Sequence, residues 1–231
     1  MLDLLYPKHC PVCLDTLPPG KTLICPPCRE KIRYVKSPVC YKCGKPLRDE
    51  TKELCRNCRA KLPPFTESFA WAEYSSEYMR RMISRVKYHG ECQLLDFPCE
   101  DMGRRYFDKV RKWAPEALIP VPVHETRRRE RGYNQAEEMA ERLSEIWKIP
   151  VDSKYLVRSE KTSAQKELGS TDRIKNLSGA FSVSGEKGKY KKVLLIDDIY
   201  TTGSTFSVCT GALLSAGVSQ VYGAVLLIGR D

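Results

Sequence analysis

Beyond residue 64 the chain moves between two hydrophobic rhythms. Ser68–Tyr74 (SFAWAEY) is short and rich in aromatic and small apolar residues, and predicts a strand. Met79, Met82, Ile83 and Val86 recur at helical spacing, with Arg80, Arg81, Arg85 and Lys87 at the other positions. Met102, Tyr106, Val110 and Trp113 predict a second amphipathic helix. Ala117–Val123 (ALIPVPV) suits a buried strand, but its prolines confine it to a strand end or a sheet edge. Asn134 can cap the following helix, with Glu137 three positions on in a capping-box arrangement. Ala136, Met139, Ala140 and Leu143 supply that helix's apolar face. Val193–Ile196 and Val221–Ile228 predict buried strands, and Phe206–Ala216 a helix between them. Such alternation implies an α/β fold with a parallel-rich sheet flanked by helices. Ser159–Lys175 is polar and predicts a long surface loop, of the kind that often acts as a lid.

The first sixty residues obey neither rhythm. They carry many prolines and four C-x-x-C pairs: Cys10/Cys13, Cys25/Cys28, Cys40/Cys43 and Cys55/Cys58. The composition changes at Lys61-Leu62-Pro63-Pro64, where the prolines favour an extended linker. This divides the chain into a module over 1–62 and a domain over 63–231. The pairs are separated by three spacers of equal length, and four thiolates from two knuckles make a closed tetrahedral zinc site. Two structural zinc ions are therefore expected. Sequential pairing gives Cys10, Cys13, Cys25, Cys28 for one ion and Cys40, Cys43, Cys55, Cys58 for the other. Equal spacers permit a cross-braced pairing as well. So small a module cannot bury much core, and the metals would supply its folding energy. Cys92, Cys99 and Cys209 stand outside any pair and read as buried thiols.

Charge narrows the partners. The formal net charge is +10. Two tetrathiolate sites remove eight protons and add two divalent ions, which leaves about +6 and suits an anionic partner. Lys31, Arg33, Lys36, Lys42, Lys45 and Arg48 would give the zinc module a basic face, although a purely structural cap fits equally. No stretch of about 18 or more apolar residues occurs, and the N-terminus does not read as a secretory signal. A soluble, cytoplasmic protein without membrane insertion is the expectation.

Val193–Thr205 (VLLIDDIYTTGST) carries the clearest chemistry. An apolar strand ends in two acids, and a hydroxyl-rich turn with one glycine leads into a helix. Ligands of open α/β sheets bind beyond the carboxyl ends of strands. Thr201, Thr202, Gly203, Ser204 and Thr205 can surround a phosphate with backbone N–H groups and hydroxyls. Asp197 and Asp198 can accept hydrogen bonds from the vicinal hydroxyls of a ribose. Together they describe a ribose 5-phosphate. A lone D-D or T-G-S-T would merely cap a helix; the ordered string says more. Arg127, Arg128, Arg129 and Arg131 precede the capped helix, and arginine forks match phosphate oxygens. Arg158, Thr162, Gln165, Arg173 and Asn176 lie in or beside the polar loop.

Taken in order, the cysteine knuckles, K-Y-H-G (Lys87–Gly90), P-V-P-V-H (Pro120–His124), R-G-Y-N-Q-A (Arg131–Ala136) and the T-x-x-Q…R-x-x-N-L-x-G-A-F loop lead to the final Asp-Asp turn. This order resembles the ComF/ComFC/GntX family of bacterial proteins linked to natural competence and DNA uptake. The resemblance implies a type I phosphoribosyltransferase fold that binds 5-phosphoribosyl-1-diphosphate (PRPP), with Asp197 and Asp198 facing the ribose and Thr201–Thr205 holding the 5-phosphate. Those two acids would also serve catalysis if the domain is active. Lys87, Arg127, Arg128, Arg129, Arg131, Thr162, Gln165 and Arg173 are grouped with the diphosphate and the loop, and magnesium would ride on PRPP. It further implies handling of single-stranded DNA with a ComFA-like helicase partner, which could recruit the chain to the inner face of the membrane. Three functions stay open: a competence protein assisting DNA uptake, an active phosphoribosyltransferase whose acceptor is unknown, and a PRPP-sensing regulator without chemistry.

Overall fold

The computed structural model describes residues 8–18, 20, 22–74, 76–158 and 179–230. The expected loop over 159–175, with Thr162, Gln165 and Arg173, lies outside them.

Four parallel strands form the central sheet: β1 (Glu67–Glu73), β2 (Ala117–Pro120), β5 (Lys192–Tyr200) and β6 (Gln220–Ile228), in spatial order β1-β6-β5-β2. Register runs Ser68↔Gly223, Leu118↔Leu194 and Ile196↔Ala224. A separate antiparallel pair joins β3 (Leu156–Arg158) to β4 (Phe181–Val183). Alternate residues of β5 serve opposite faces. Leu194 and Ile196 join a core with α3 (Glu77–Tyr88), α4 (Asp96–Arg105), α5 (Phe107–Trp113) and α7 (Gln135–Trp147). Val193 and Leu195 join a second core with α8 (Ser204–Ser215). Burial on both faces is why these strands read as continuous apolar runs. The architecture is the helix-flanked, parallel sheet expected of a type I phosphoribosyltransferase domain.

Several expectations are refined. The second amphipathic helix is two helices: the chain breaks at Tyr106, whose hydroxyl donates to Ala70 O at 2.7 Å while its ring stacks on Phe69 at 3.9 Å. The Ala117–Val123 strand stops at Pro120 and lies at the sheet edge, as its prolines require. Asn134 caps α7 by accepting from Ala136 N at 3.0 Å and donates to Val121 O at 3.0 Å. Glu137 does not complete a capping box; it pairs with Arg128 at 3.1 Å. The predicted Val193–Ile196 strand runs on to Tyr200, carrying both motif acids inside β5.

The N-terminal module repeats one hydrogen-bonding scheme thirty residues apart. Leu14 N donates to Cys10 O and Gly44 N to Cys40 O, while Cys10 N donates to Asp15 O and Cys40 N to Lys45 O. Short helices α1 (Pro26–Arg29) and α2 (Arg56–Ala60) follow Cys25 and Cys55. The module lies along β1. Val35 N donates to Trp71 O, Glu73 N to Arg33 O and Ser68 N to Lys42 O, and Tyr34 bridges Ala72 in antiparallel fashion. Lys42 Nζ also donates to Phe65 O (2.9 Å) and Thr66 O (3.2 Å), closing the join at the start of β1.

Candidate functional site

The cysteines fall into two groups, Cys10/Cys13/Cys25/Cys28 and Cys40/Cys43/Cys55/Cys58, whose sulfur atoms lie within 4.8 Å of one another in each group. Sequential pairing is therefore the arrangement, and the cross-braced one is not. Within them Cys10 and Cys25 are 3.5 Å apart, Cys13 and Cys25 3.7 Å, and Cys43 and Cys55 3.6 Å. A tetrahedron with zinc–sulfur bonds of about 2.3 Å has edges of about 3.8 Å, so four thiolates at this spacing fit a structural zinc ion. The fit leaves no coordination position for substrate. Both sites are structural.

The chemistry gathers at the carboxyl end of β5. Val193–Ile196 are buried, and the backbone then leaves Asp197 partly exposed and Asp198 buried. Asp198 N donates to Asp197 Oδ1 at 2.9 Å, which fixes the two carboxyls relative to each other. Lys87, at the end of α3, places Nζ 2.5 Å from Asp198 Oδ2. It is a close ion pair rather than an aligned hydrogen bond, since that oxygen has no hydrogen-bond partner among the described residues. Part of the Asp197 surface reaches solvent, yet burial and then the Asp198 charge push its carboxyl well above the usual carboxylate range. Lys87 thus faces the acid pair directly.

The turn follows at once. Thr201 and Thr202 are exposed, and Thr202 Oγ1 lies 2.9 Å from Ser204 Oγ. Gly203 has φ +80°, and a side chain there would lie 2.1 Å from the Tyr200 hydroxyl. Only glycine meets both conditions. Gly203 offers no capping side chain, and Thr202 Oγ1 accepts from Ser204 N at a long 3.4 Å, which leaves the N–H groups of Thr205 and Phe206 open to a ligand. Asp197 and Thr201–Phe206 enclose a cavity of about 40 Å³, room for a single small group.

The arginines of α6 (Glu125–Arg131) divide into two kinds. Arg128 pairs with Glu137 and Arg129 with Glu125 (3.2 Å), so both are largely neutralised. Among the described residues, Arg127 and Arg131 meet no carboxylate. Arg131 donates to Gln135 Oε1 at 3.0 Å and lies 5.3 Å from the exposed Tyr88 ring. Arg158, read from the sequence as loop surface, is half-buried, 5.4 Å from the Phe181 ring, with a buried Nε that has no partner among the described residues. Burial and neighbouring Arg127 hold it below its ordinary value. Among the described residues neither guanidinium is paired with a carboxylate. Nothing in the sequence near Arg158 signals this, because Arg127 comes from a separate element.

The second zinc site lies close to this end of the sheet. All four of its cysteines are buried in one core with Phe65, Tyr200 and Phe206. Burial first, and then the nearby thiols, raise the Tyr200 phenol. A cleft of about 540 Å³ runs from α2 and Leu62–Pro64 to Tyr200 and Thr202–Ser204.

Residues 1–59 match the double zinc ribbon domain family. The chain is 34% identical over 149 residues to "Competence protein F" of Haemophilus influenzae, covering 61% of this chain and 63% of that one. It is 29% identical over 153 residues to "Competence protein ComFC" of Bacillus subtilis (66% and 60%). Over 108 residues it is 32% identical to "DNA utilization protein YhgH" of Escherichia coli O157:H7 (46% and 47%). The chain spans about half to six-tenths of the length of these relatives. A purine phosphoribosyltransferase from Pyrococcus horikoshii overlays at TM-score 0.37 and 18% identity, covering 57% of this chain and 74% of that one. The likenesses in sequence bear out the resemblance read from the motifs. No helix among the described residues is long and apolar enough to cross a membrane.

Proposed function

We propose that Asp197–Thr205 holds the ribose 5-phosphate of PRPP, and that the chain serves the handling of single-stranded DNA in natural transformation. The observation carrying the first half is the acid pair inside β5, with Lys87 paired to Asp198, followed by a glycine-turned helix N-terminus. Asp197 and Asp198 accept from the ribose hydroxyls, and Thr201–Thr205 donate to the phosphate. Arg127 and Arg158 take the diphosphate, whose charge relieves their repulsion. Magnesium, with few protein ligands of its own, would come with PRPP and neutralise charge there. Zinc takes no part in this chemistry. The second half is supported by the names of the relatives, by a net charge that stays positive after zinc binding, and by exposed arginines near the site. A ComFA-like helicase partner and a cytoplasmic location belong to this reading.

Titration calorimetry with PRPP and magnesium tests the pocket. The native chain binds, and Asp197→Asn/Asp198→Asn does not. A folded, zinc-loaded native chain that gives no heat with PRPP would overturn the assignment. Release of diphosphate on adding candidate acceptors separates an enzyme from a sensor: tight binding without turnover selects the sensor. Binding to single-stranded DNA should weaken steeply with salt, because released counterions drive it. An affinity equal at low and high salt rejects the DNA role.

A further inference from the structure

The second zinc ribbon meets the carboxyl ends of β1 and β6 in a second cleft, separate from the one that reaches Thr202–Ser204. Its volume is about 410 Å³, and its charged lining is Arg48, Lys52, Arg56, Arg59 and Arg230 against Asp49 and Glu73. The two acids are already engaged. Asp49 bonds Thr51 and pairs with Lys52 at 2.9 Å, and these contacts hold its carboxyl down at about 2. Glu73 pairs with Arg230 at 2.6 Å. Arg48 and Arg59 are exposed and, among the described residues, meet no carboxylate. A concave wall with unmatched guanidiniums concentrates positive potential.

We infer that this cleft holds the phosphodiester backbone of single-stranded DNA, with Arg48 and Arg59 as direct phosphate contacts. The inference rests on the DNA-handling reading above and names where the strand lies. Three observations favour it. The guanidinium fork matches phosphate oxygens in pairs, and both arginines project from a scaffold fixed by the Cys40–Cys58 site. Helix α2 is shared: Arg56 and Arg59 line this cleft, while Asn57, Cys58 and Ala60 line the one reaching Thr202–Ser204. A strand seated here therefore runs beside the sugar-phosphate site without entering its acid pair. Finally, two lysines of this ribbon serve the fold: Lys45 is 2% exposed and Lys42 bonds Phe65 and Thr66, so the cleft's arginines and Lys52 carry most of the second knuckle pair's exposed positive charge.

The test is fluorescence anisotropy with labelled oligodeoxythymidine of about 20 nucleotides, titrated at several salt concentrations with the full, zinc-loaded chain. Arg48→Gln/Arg59→Gln should bind at least about tenfold more weakly, and the slope of log affinity on log salt should flatten by about 1.4 for two lost contacts. Arg48→Lys/Arg59→Lys should recover most of the slope. Arg81→Gln/Arg104→Gln, which removes the same charge from α3 and α4, should leave affinity within about twofold. Zinc content and PRPP affinity, unchanged in all of these, show that each variant is folded. Native affinity and slope in Arg48→Gln/Arg59→Gln overturn the cleft while leaving the DNA reading intact. A native chain that binds PRPP but no oligonucleotide overturns both.

Discussion

The two zinc ribbons share a cysteine spacing and a hydrogen-bond scheme but not a role. The first keeps Cys13 and Cys25 partly exposed and packs beside Trp71 and the helices of one core. The second buries all four cysteines within the other core, against Phe65 and Tyr200 at the mouth of the phosphate turn. One position shows what separates them. The residue after the second cysteine of each leading knuckle has positive φ: Leu14 at 68° and Gly44 at 74°. A side chain at Gly44 would lie 2.9 Å from Phe69 Cα and Ser68 O, whereas Leu14 lies against the core from outside. Local geometry asks for a left-handed residue in both. Tertiary docking asks for glycine only in the second. Repeated sequence thus specifies a repeated fold, and neighbours decide what each copy does.

The largest effect expected from this contrast comes from the ligands. Cys43→Ser should lose one zinc equivalent and PRPP binding together, at a cost on the order of 5 kcal/mol or more, because metal binding energy is folding energy. Cys13→Ser should lose a zinc equivalent yet keep PRPP affinity within about twofold, since the turn is walled by the other ribbon alone. Zinc stoichiometry and calorimetry on both variants decide it, and equal loss of PRPP binding would erase the distinction.

Phe65→Ala comes next. The ring is fully buried, edge-on to Phe206 at 5.3 Å and to Tyr200 at 6.3 Å. Truncation should cost about 3–5 kcal/mol by denaturant unfolding. A cost below about 1 kcal/mol would mean that the aromatic cluster beside the second ribbon contributes little to this core.

Exchange at the paired knuckle position should be asymmetric. Gly44→Ala should cost about 1–3 kcal/mol, through strain and displacement of β1. Leu14→Gly should change stability by less than about 1 kcal/mol, because relief of left-handed strain offsets lost packing. Thermal midpoints of the two variants give the answer directly.

The smallest effect lies in the site that the second ribbon walls. Asp197 holds its proton more tightly folded than unfolded, so that stabilisation is full below the ordinary carboxylate range and is lost as pH rises through the folded value. Asp197→Asn should remove this loss. Above that window the ligand-free variant should melt about 2–4 °C higher, for roughly 1 kcal/mol, while failing to bind PRPP. An unchanged pH profile would show that the acid pair stores no such cost.

What the sequence made legible is what depends on near neighbours. The cysteine sets need only spacing, and the strands of a sheet buried on both faces announce themselves as apolar runs such as VLLI. The Asp-Asp turn is readable because strand, acids, glycine and helix follow one another without a gap. The misses are long-range. Lys42 and Lys45 read as basic surface, and instead Lys42 closes the join to β1 while Lys45 is buried. Arg48, Arg56, Arg59 and Arg230 become neighbours only when the chain's end returns beside the zinc module. The α6 arginines looked equivalent, yet Glu125 and Glu137 neutralise two of them. Arg158 gained its standing from Arg127, which no local pattern links to it.

The backbone pairing between residues 33–42 and β1 bears on where this protein can be cut. Composition draws a boundary at residue 62, but hydrogen bonding does not respect it: the outer side of β1 is occupied by the zinc module. A chain begun at residue 63 would present that side as a row of unpaired donors and acceptors beside exposed aromatic residues, a template for joining another copy edge to edge. Such a fragment should self-associate, and its aggregation would report a stripped edge rather than an unstable sheet.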